Sequence, residues 1–71
     1  MKTIYSTAYK LVEINFLKDK SFIGYNFTIN NKTFGYKIEL KSKKQNEIFG
    51  LISLLTINAI ESIEAKLNEN N

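Results

Sequence analysis

Apolar and polar residues alternate along three successive stretches of the chain, which is the spacing of β-strands with one buried face. The alternating apolar positions are Val12, Ile14 and Phe16, then Ile23, Tyr25, Phe27 and Ile29, then Phe34, Tyr36, Ile38 and Leu40. Lys18-Asp19-Lys20-Ser21 and Asn30-Asn31 separate these stretches, and both are typical of turns because Asp and Asn favour turn conformations. The pattern predicts a three-stranded antiparallel meander with one apolar face.

The lengths of the two turns predict which residues face each other across the strands. A two-residue loop at Asn30-Asn31 places Tyr25 opposite Tyr36. A two-residue loop at Asp19-Lys20 places Ile14 opposite Tyr25. Both registers bring the large apolar residues to the same side of the sheet, as the burial of a single face requires.

The N-terminal residues do not continue this alternation in phase. Tyr5, Tyr9 and Leu11 have the opposite phase to Val12 and the apolar residues that follow it. A β-bulge near Leu11-Val12 would reconcile the two phases and extend the first strand. Alternatively, residues 2–10 form a separate N-terminal arm, and the pattern does not distinguish these two interpretations.

From about Gln45 to about Leu67 the apolar period changes to 3.6 residues, which predicts one long helix. Ser42 and Gln45 fit an S-x-x-Q capping box at its start, with Asn46 as an alternative cap. The apolar stripe expected to cover the sheet consists of Ile48, Ile52, Leu55, Ala59 and Ile63, widened by Phe49, Leu51 and Ile60. The expected fold is therefore α+β, with a three-stranded β-meander packed by one long C-terminal helix in the order β-β-β-α.

The whole chain, residues 1–71, is expected to form one domain with a frayed polar tail at 68–71. At this size a single core rarely supplies more than about 3–5 kcal/mol of stability, so small domains often rely on disulfides, metals or a partner. The chain contains neither cysteine nor histidine. Self-association or a larger partner is therefore the expected source of additional stability.

A second, narrow group of apolar residues lies on the opposite side of the predicted helix. Gly50, Leu54 and Ile57 follow the spacing i, i+4, i+7, and we call them the outer helix strip. Scattered apolar residues are normal on soluble proteins, and this is the simpler interpretation. The sharper one is a contact surface for a second copy of the chain or for another protein, since the glycine permits close backbone approach.

The composition argues against catalysis. Histidine and cysteine, the usual general base and thiol nucleophile near neutral pH, are absent, as are arginine, tryptophan and proline. Glu13 and Glu39, on the outer face of the predicted sheet, have no partner group that the sequence reveals. We therefore expect a non-enzymatic protein without a metal, a cofactor or a small-molecule substrate.

No targeting or membrane segment is expected. The longest apolar region, Ile48 to Ile60, is interrupted by polar residues and is shorter than the roughly 20 residues that a transmembrane helix needs. The start of the chain lacks the apolar core of a signal peptide. A cytoplasmic location without membrane contact is the expectation, in the host cell if a phage encodes the protein.

Several lysines lie near the predicted helix start and suggest contact with an anion. The net charge is +3, and Lys37, Lys41, Lys43 and Lys44 precede the helix. Free N–H groups at a helix N-terminus together with lysines can bind phosphate or carboxylate groups. The alternative is an ordinary solvated lysine run. Without arginine, any nucleic-acid binding would be nonspecific and salt-dependent.

Residues 9–60 resemble a double-stranded RNA-binding domain that lacks its first helix. The resemblance lies in the order strand–strand–strand–helix and in three short segments, Tyr9 to Glu13, Asn31 to Gly35 and Lys41 to Lys44. It implies that Lys43 and Lys44 contact RNA phosphates across a groove. Nucleic acid is therefore the alternative partner.

The composition is also informative about origin, because abundant Lys, Asn, Ile, Phe and Tyr are typical of A/T-rich coding sequence. A small chain without catalytic groups or cofactors is expected to act by occupying a larger macromolecule. We therefore expect a phage or mobile-element protein that binds a host factor stoichiometrically, such as an anti-CRISPR or other anti-defence inhibitor. The alternative is a double-stranded RNA or nonspecific nucleic-acid-binding module.

Overall fold

The computed structural model describes residues 2–41 and 45–69, with only the backbone described at 45 and 46. Four strands precede one helix: β1 (Lys2–Tyr9), β2 (Val12–Lys18), β3 (Phe22–Ile29), β4 (Lys32–Glu39) and α1 (Gln45–Glu69). The strands form one antiparallel sheet in the order β1-β2-β3-β4. The fold is α+β, as predicted, but the meander has four strands and the element order is ββββα.

Strand β1 is the element that the sequence pattern missed. The chain reverses at Lys10 and Leu11, whose φ angles of 50° and 65° are both left-handed, so that Tyr9 pairs with Val12. Two consecutive left-handed residues form the tight turn that a two-residue hairpin requires. Residues 2–9 are therefore neither a bulged extension of β2 nor a separate arm, and the reversal explains the phase change. A register shift does occur, but it lies between Thr3 and Tyr5.

The hairpin of β3 and β4 confirms the predicted register. Asn30 and Asn31 have φ angles of 52° and 66°, as their sequence predicts. Tyr25 faces Tyr36. This turn was predictable because asparagine tolerates left-handed angles better than most residues.

The register of β2 and β3 differs from the prediction by two residues. Ile14 faces Phe27 rather than Tyr25 because the connecting loop is longer than two residues. The Asp19 carboxylate organises this loop by accepting hydrogen bonds from the N–H groups of Ser21, at 2.7 Å, and Phe22, at 2.8 Å. A shift of two residues preserves the side to which every residue points, so the predicted apolar face is correct.

The helix covers the centre of the sheet and leaves its edges open. It packs on β2 and β3 through the buried residues Leu55, Ala59 and Ile63. The buried sheet residues are Val12, Ile14, Phe16, Ile23, Tyr25, Phe27 and Ile29. Tyr36, predicted to be buried, is 52% exposed because it lies on the edge strand β4. Phe49, predicted to widen the buried stripe, is also exposed.

The structure tests only some of the predictions made for the two ends of the helix. The capping box depends on Ser42, which lies outside the described residues, as do the last two residues of the predicted tail. The helix itself begins at Gln45, as predicted, and continues to Glu69 instead of ending near Leu67.

Polar contacts fix the position of the helix on the sheet. The Tyr25 hydroxyl donates a hydrogen bond to the Asn58 side-chain oxygen, and the Tyr9 hydroxyl donates one to the Glu64 carboxylate. Lys10 Nζ also lies 2.8 Å from Glu64 Oε1. These hydrogen bonds, first that from Lys10 and then that from Tyr9, hold the pKa of Glu64 below its usual value. The first turn of the sheet is thereby joined to the C-terminal half of the helix.

The carboxylates of Asp19 and Glu64 should make the protein sensitive to acid. The backbone N–H groups of Ser21 and Phe22 lower the pKa of Asp19, as Lys10 and Tyr9 lower that of Glu64. A carboxylate with a lowered folded-state pKa stabilises the fold above its unfolded pKa, and this contribution is lost as the pH falls through the folded value. The urea midpoint should therefore decrease between about pH 5 and about pH 2.

A variant with both Asp19→Asn and Glu64→Gln should show a smaller decrease over the same pH range, because neither side chain titrates. Its midpoint at neutral pH should already be lower than that of the parent protein. An identical pH profile for the variant and the parent would show that other groups cause the acid sensitivity.

Candidate binding surfaces

The outer helix strip is exposed, as the sequence predicts. Leu54 is 62% exposed and Ile57 is 56% exposed. A Cβ atom added at Gly50 would have no neighbour within 4 Å, so the backbone at this position is open to close approach. Phe49, which precedes Gly50 in the sequence, is 64% exposed and adds an exposed aromatic side chain to the N-terminal half of the helix.

This exposed region carries no charge. The segment 48–60 contains thirteen residues without a lysine, aspartate or glutamate, and Glu47 and Glu61 flank it in the sequence. Both glutamates are exposed. Large apolar side chains are normally scattered singly on the surface of soluble proteins, whereas Phe49, Leu54 and Ile57 are all exposed on one uncharged helix segment.

The outer helix strip is uncovered because it lies on the side of α1 that faces away from the sheet. The fully buried helix residues Leu55, Ala59 and Ile63 pack against the sheet from the opposite side of the helix. The helix is also longer than the strands, since a helix of 25 residues is about 37 Å long and a strand of eight residues is about 26 Å long.

The structure describes two of the four lysines predicted to bind an anion, Lys37 and Lys41, and each has a different neighbour. Lys37 Nζ lies 4.6 Å from the centre of the Phe22 ring, on the face of the sheet that points away from the helix. Lys41 Nζ lies 3.8 Å from Glu39 Oε1. Lys43 and Lys44 lie outside the described residues, so the proposed anion site is only half described.

The outer face of the sheet is polar and has one shallow groove. Ser6 donates a hydrogen bond of 2.8 Å to the Asn15 side chain, which in turn donates one of 3.3 Å to Asn26. The groove has a volume of about 360 Å³ and is lined by Leu17, Gly24, Tyr25, Gly35, Tyr36 and Lys37. Lys37 supplies an ammonium group to this groove, whereas the Tyr25 hydroxyl lies on the helix side of the sheet, where it donates to Asn58.

Helix α1 extends well beyond the apolar region Ile48 to Ile60. Its segment Glu47–Glu69 has the length and composition of a membrane-crossing helix, and 22% of the apolar 18-residue stretch within this segment is buried. The expectation that the apolar region is too short to span a bilayer was therefore wrong on length. A single helix of this kind does not distinguish a membrane span from a core helix, and here Leu55, Ala59 and Ile63 are buried against the sheet.

The comparisons with known proteins leave the resemblance to a double-stranded RNA-binding domain without further support. Strand β1 (Lys2–Tyr9) precedes the resembling segment, at the position where that family has a helix. No family model, curated protein or solved structure matches this chain.

Proposed function

We propose that this protein acts without catalysis, by binding one larger macromolecule per copy of the chain through the exposed side of α1. The uncharged segment 48–60, with Leu54, Ile57 and Phe49 exposed on it, is the observation that carries this proposal. Burying one such side chain completely contributes about 1.5–3 kcal/mol. Three of them supply enough favourable free energy to offset part of the cost of association.

The spacing of the outer helix strip indicates how the partner is bound. Leu54 and Ile57 are apolar anchors at i and i+3, a spacing typical of helices that lie in a hydrophobic groove of another protein, and Gly50 one turn earlier permits close approach of the groove. Glu47 and Glu61, at the two ends of the uncharged segment, favour a groove with basic residues at its rim. The proposed partner is therefore a protein with an apolar, basic-rimmed groove.

The biological setting that fits this chemistry is inhibition of a host factor by a phage or mobile-element protein. Small size, A/T-rich residue usage and the absence of His and Cys support stoichiometric binding rather than turnover. An anti-CRISPR or other anti-defence inhibitor acting in the host cytoplasm is the proposed class.

A nucleic-acid-binding module is the second candidate, and the distribution of charge favours it. Residues 2–41 contain seven lysines and three acidic residues, whereas residues 45–69 contain one lysine and four glutamates. An RNA duplex would therefore meet the sheet and the segment that precedes the helix, and not the acidic helix. Lys37, Lys41, Lys43 and Lys44 are the proposed contact residues.

Replacing both Leu54 and Ile57 by glutamate should abolish capture of the protein partner. Because both side chains are exposed, the variant should keep the circular dichroism spectrum and urea midpoint of the parent within experimental error. The measurement is affinity capture from the lysate of a low-GC bacterial host, with each captured protein quantified by mass spectrometry. The expected partner is enriched by the parent and lost with the variant.

A matched control places two glutamates elsewhere on the same helix, at Ala65 and Asn68, which are exposed but lie beyond the outer helix strip. This control should capture the partner as well as the parent does. Equal loss of partner capture with both double variants would show that added negative charge on the helix, and not the outer helix strip, determines binding. Material captured by all three proteins and released by nuclease or raised salt would support the RNA-binding candidate instead.

A further inference from the structure

The free edge of β1 offers backbone groups to another strand. Within the described part of the chain, β1 is hydrogen-bonded to β2 alone and forms one edge of the sheet. Tyr9 and Val12 close a two-residue turn, so they are hydrogen-bonded to each other. The N–H and C=O groups alternate in direction along a strand, so those of Ser6 and Ala8 point to the free edge.

The two edges of the sheet differ in charge. Strand β4 carries Lys32, Lys37 and Glu39, and charged side chains are a common means of preventing edge strands from pairing. Strand β1 has no charged residue from Thr3 to Tyr9. The β1 edge therefore lacks this protection and is the edge suited to receive a further strand.

We propose that a second copy of the chain pairs its own β1 antiparallel with this edge, around a two-fold axis at Thr7. Ser6 then lies opposite Ala8 of the second copy, and their outward backbone groups form hydrogen bonds. Tyr5 lies opposite Tyr9 of the second copy, a cross-strand aromatic pair that stabilises a sheet. The two four-stranded sheets become one sheet of eight strands.

This alignment avoids like charges. It sets Lys10 opposite the uncharged Ile4 of the second copy, and Lys2 lies beyond the paired segment.

A dimer through the outer helix strip would instead bring like charges together. An antiparallel helix pair centred on Leu54 would set Glu47 of each copy against Glu61 of the other, which is unfavourable. Charge repulsion therefore disfavours a dimer through the outer helix strip and favours one through β1. The outer helix strip then remains available to a different protein.

Exposed apolar groups at this edge support the same conclusion. Tyr5 stacks on Phe16 with ring centroids 5.7 Å apart and ends an aromatic row across the sheet, but its outer side is exposed. A second strand at the β1 edge would cover the exposed side of Tyr5.

Disulfide formation in a Thr7→Cys variant tests the proposal directly, because the natural chain has no cysteine. In the proposed alignment Thr7 lies opposite Thr7 of the second copy as a non-hydrogen-bonded pair. The Cα atoms of such a pair are about 4.5 Å apart, within the range that a disulfide spans. Mild oxidation should convert most of the variant to a covalent dimer, as seen on a non-reducing gel. Leu54→Cys and Lys37→Cys, both with exposed positions, are the controls and should remain mostly monomeric.

An Ala8→Pro variant provides an independent test in the natural chain. Proline removes an N–H group that points to the free edge and leaves the β1–β2 hydrogen bonds in place, as edge strands tolerate. The parent should sediment as a dimer and this variant as a folded monomer with an unchanged circular dichroism spectrum. A monomeric parent, a dimeric Ala8→Pro variant, or cross-linking of Leu54→Cys in preference to Thr7→Cys would overturn the proposal. The sedimentation outcomes are independent of the proposed function, because they concern the β1 edge alone. Preferential cross-linking of Leu54→Cys would also count against the proposed function, because a second copy would then occupy the outer helix strip.

Discussion

A Phe16→Ala variant is expected to be at least about half unfolded at room temperature. The Phe16 side chain is completely buried between the sheet and the helix and contacts the rings of Tyr5 and Tyr25. Removing a buried phenylalanine side chain costs about 3–5 kcal/mol. A single domain of this size has only about 3–5 kcal/mol to lose, so the folded population should fall to about half or less.

Phe49→Ala is the matched control, since the same side chain is 64% exposed at that position. Its urea midpoint should stay close to that of the parent at the same protein concentration, because exposed positions usually change stability by less than about 0.5 kcal/mol. Circular dichroism during urea titration measures both variants. A larger loss for Phe49→Ala than for Phe16→Ala would show that the helix packs on the sheet through a different face.

Gly24→Ala and Gly50→Ala are expected to change stability in opposite directions. A Cβ atom at Gly24 would lie 2.8 Å from the Lys37 Cα atom and closer still to the Tyr36 carbonyl oxygen, so β4 would have to move. Overpacking of this kind costs about 1–3 kcal/mol, and more where backbone must shift. At Gly50 the added methyl group meets nothing, and alanine is favoured over glycine in a helix by about 1 kcal/mol.

The measurement is the urea midpoint of each variant relative to the parent protein. Gly24→Ala should lower the midpoint, and Gly50→Ala should raise it. If Gly24→Ala is tolerated without loss, β3 and β4 do not approach as closely as the structure shows. If Gly50→Ala is destabilising, the outer side of the helix is already covered in the free protein, for instance by a second copy.

The parts of the fold that could be predicted from the sequence are those where one local rule determines the outcome. Asn30-Asn31 is a turn sequence in its own right, and the register of Tyr25 with Tyr36 follows from it. The loop at Asp19 was mispredicted because its length depends on two hydrogen bonds to one carboxylate, which no spacing rule supplies. The predicted apolar face of the sheet is nevertheless correct, because the error in the register of β2 and β3 is an even number of residues.

Strand β1 could not be predicted because its turn lacks the usual residues. Lys10 and Leu11 adopt left-handed angles that asparagine and glycine prefer. The hairpin is stabilised by tertiary contacts of Tyr9 and Lys10 with Glu64, more than fifty residues away in the sequence. Local propensity therefore did not predict a turn at Lys10 and Leu11. The opposite phase of Tyr5 and Tyr9 was the one available signal of a chain reversal.

The candidate binding surface was predictable in part. Helical spacing correctly placed Leu54 and Ile57 on the exposed side. The same spacing assigned Phe49 to the buried stripe, because a helical wheel does not show where the sheet ends beneath the helix. Tyr36 was misplaced for a similar reason, since alternation identifies the inner face of a strand but not whether the helix reaches that strand.

Site-specific photo-cross-linking tests the central claim, that the outer helix strip is the surface that contacts the partner. The photoreactive amino acid p-benzoylphenylalanine would replace Leu54 in one protein and Lys37, on the outer sheet face, in another. After irradiation in host lysate, the first should give one covalent adduct with a protein whose mass exceeds that of this chain, and the second should give none. An adduct from position 37 without one from position 54, or no adduct from position 54, would contradict the account.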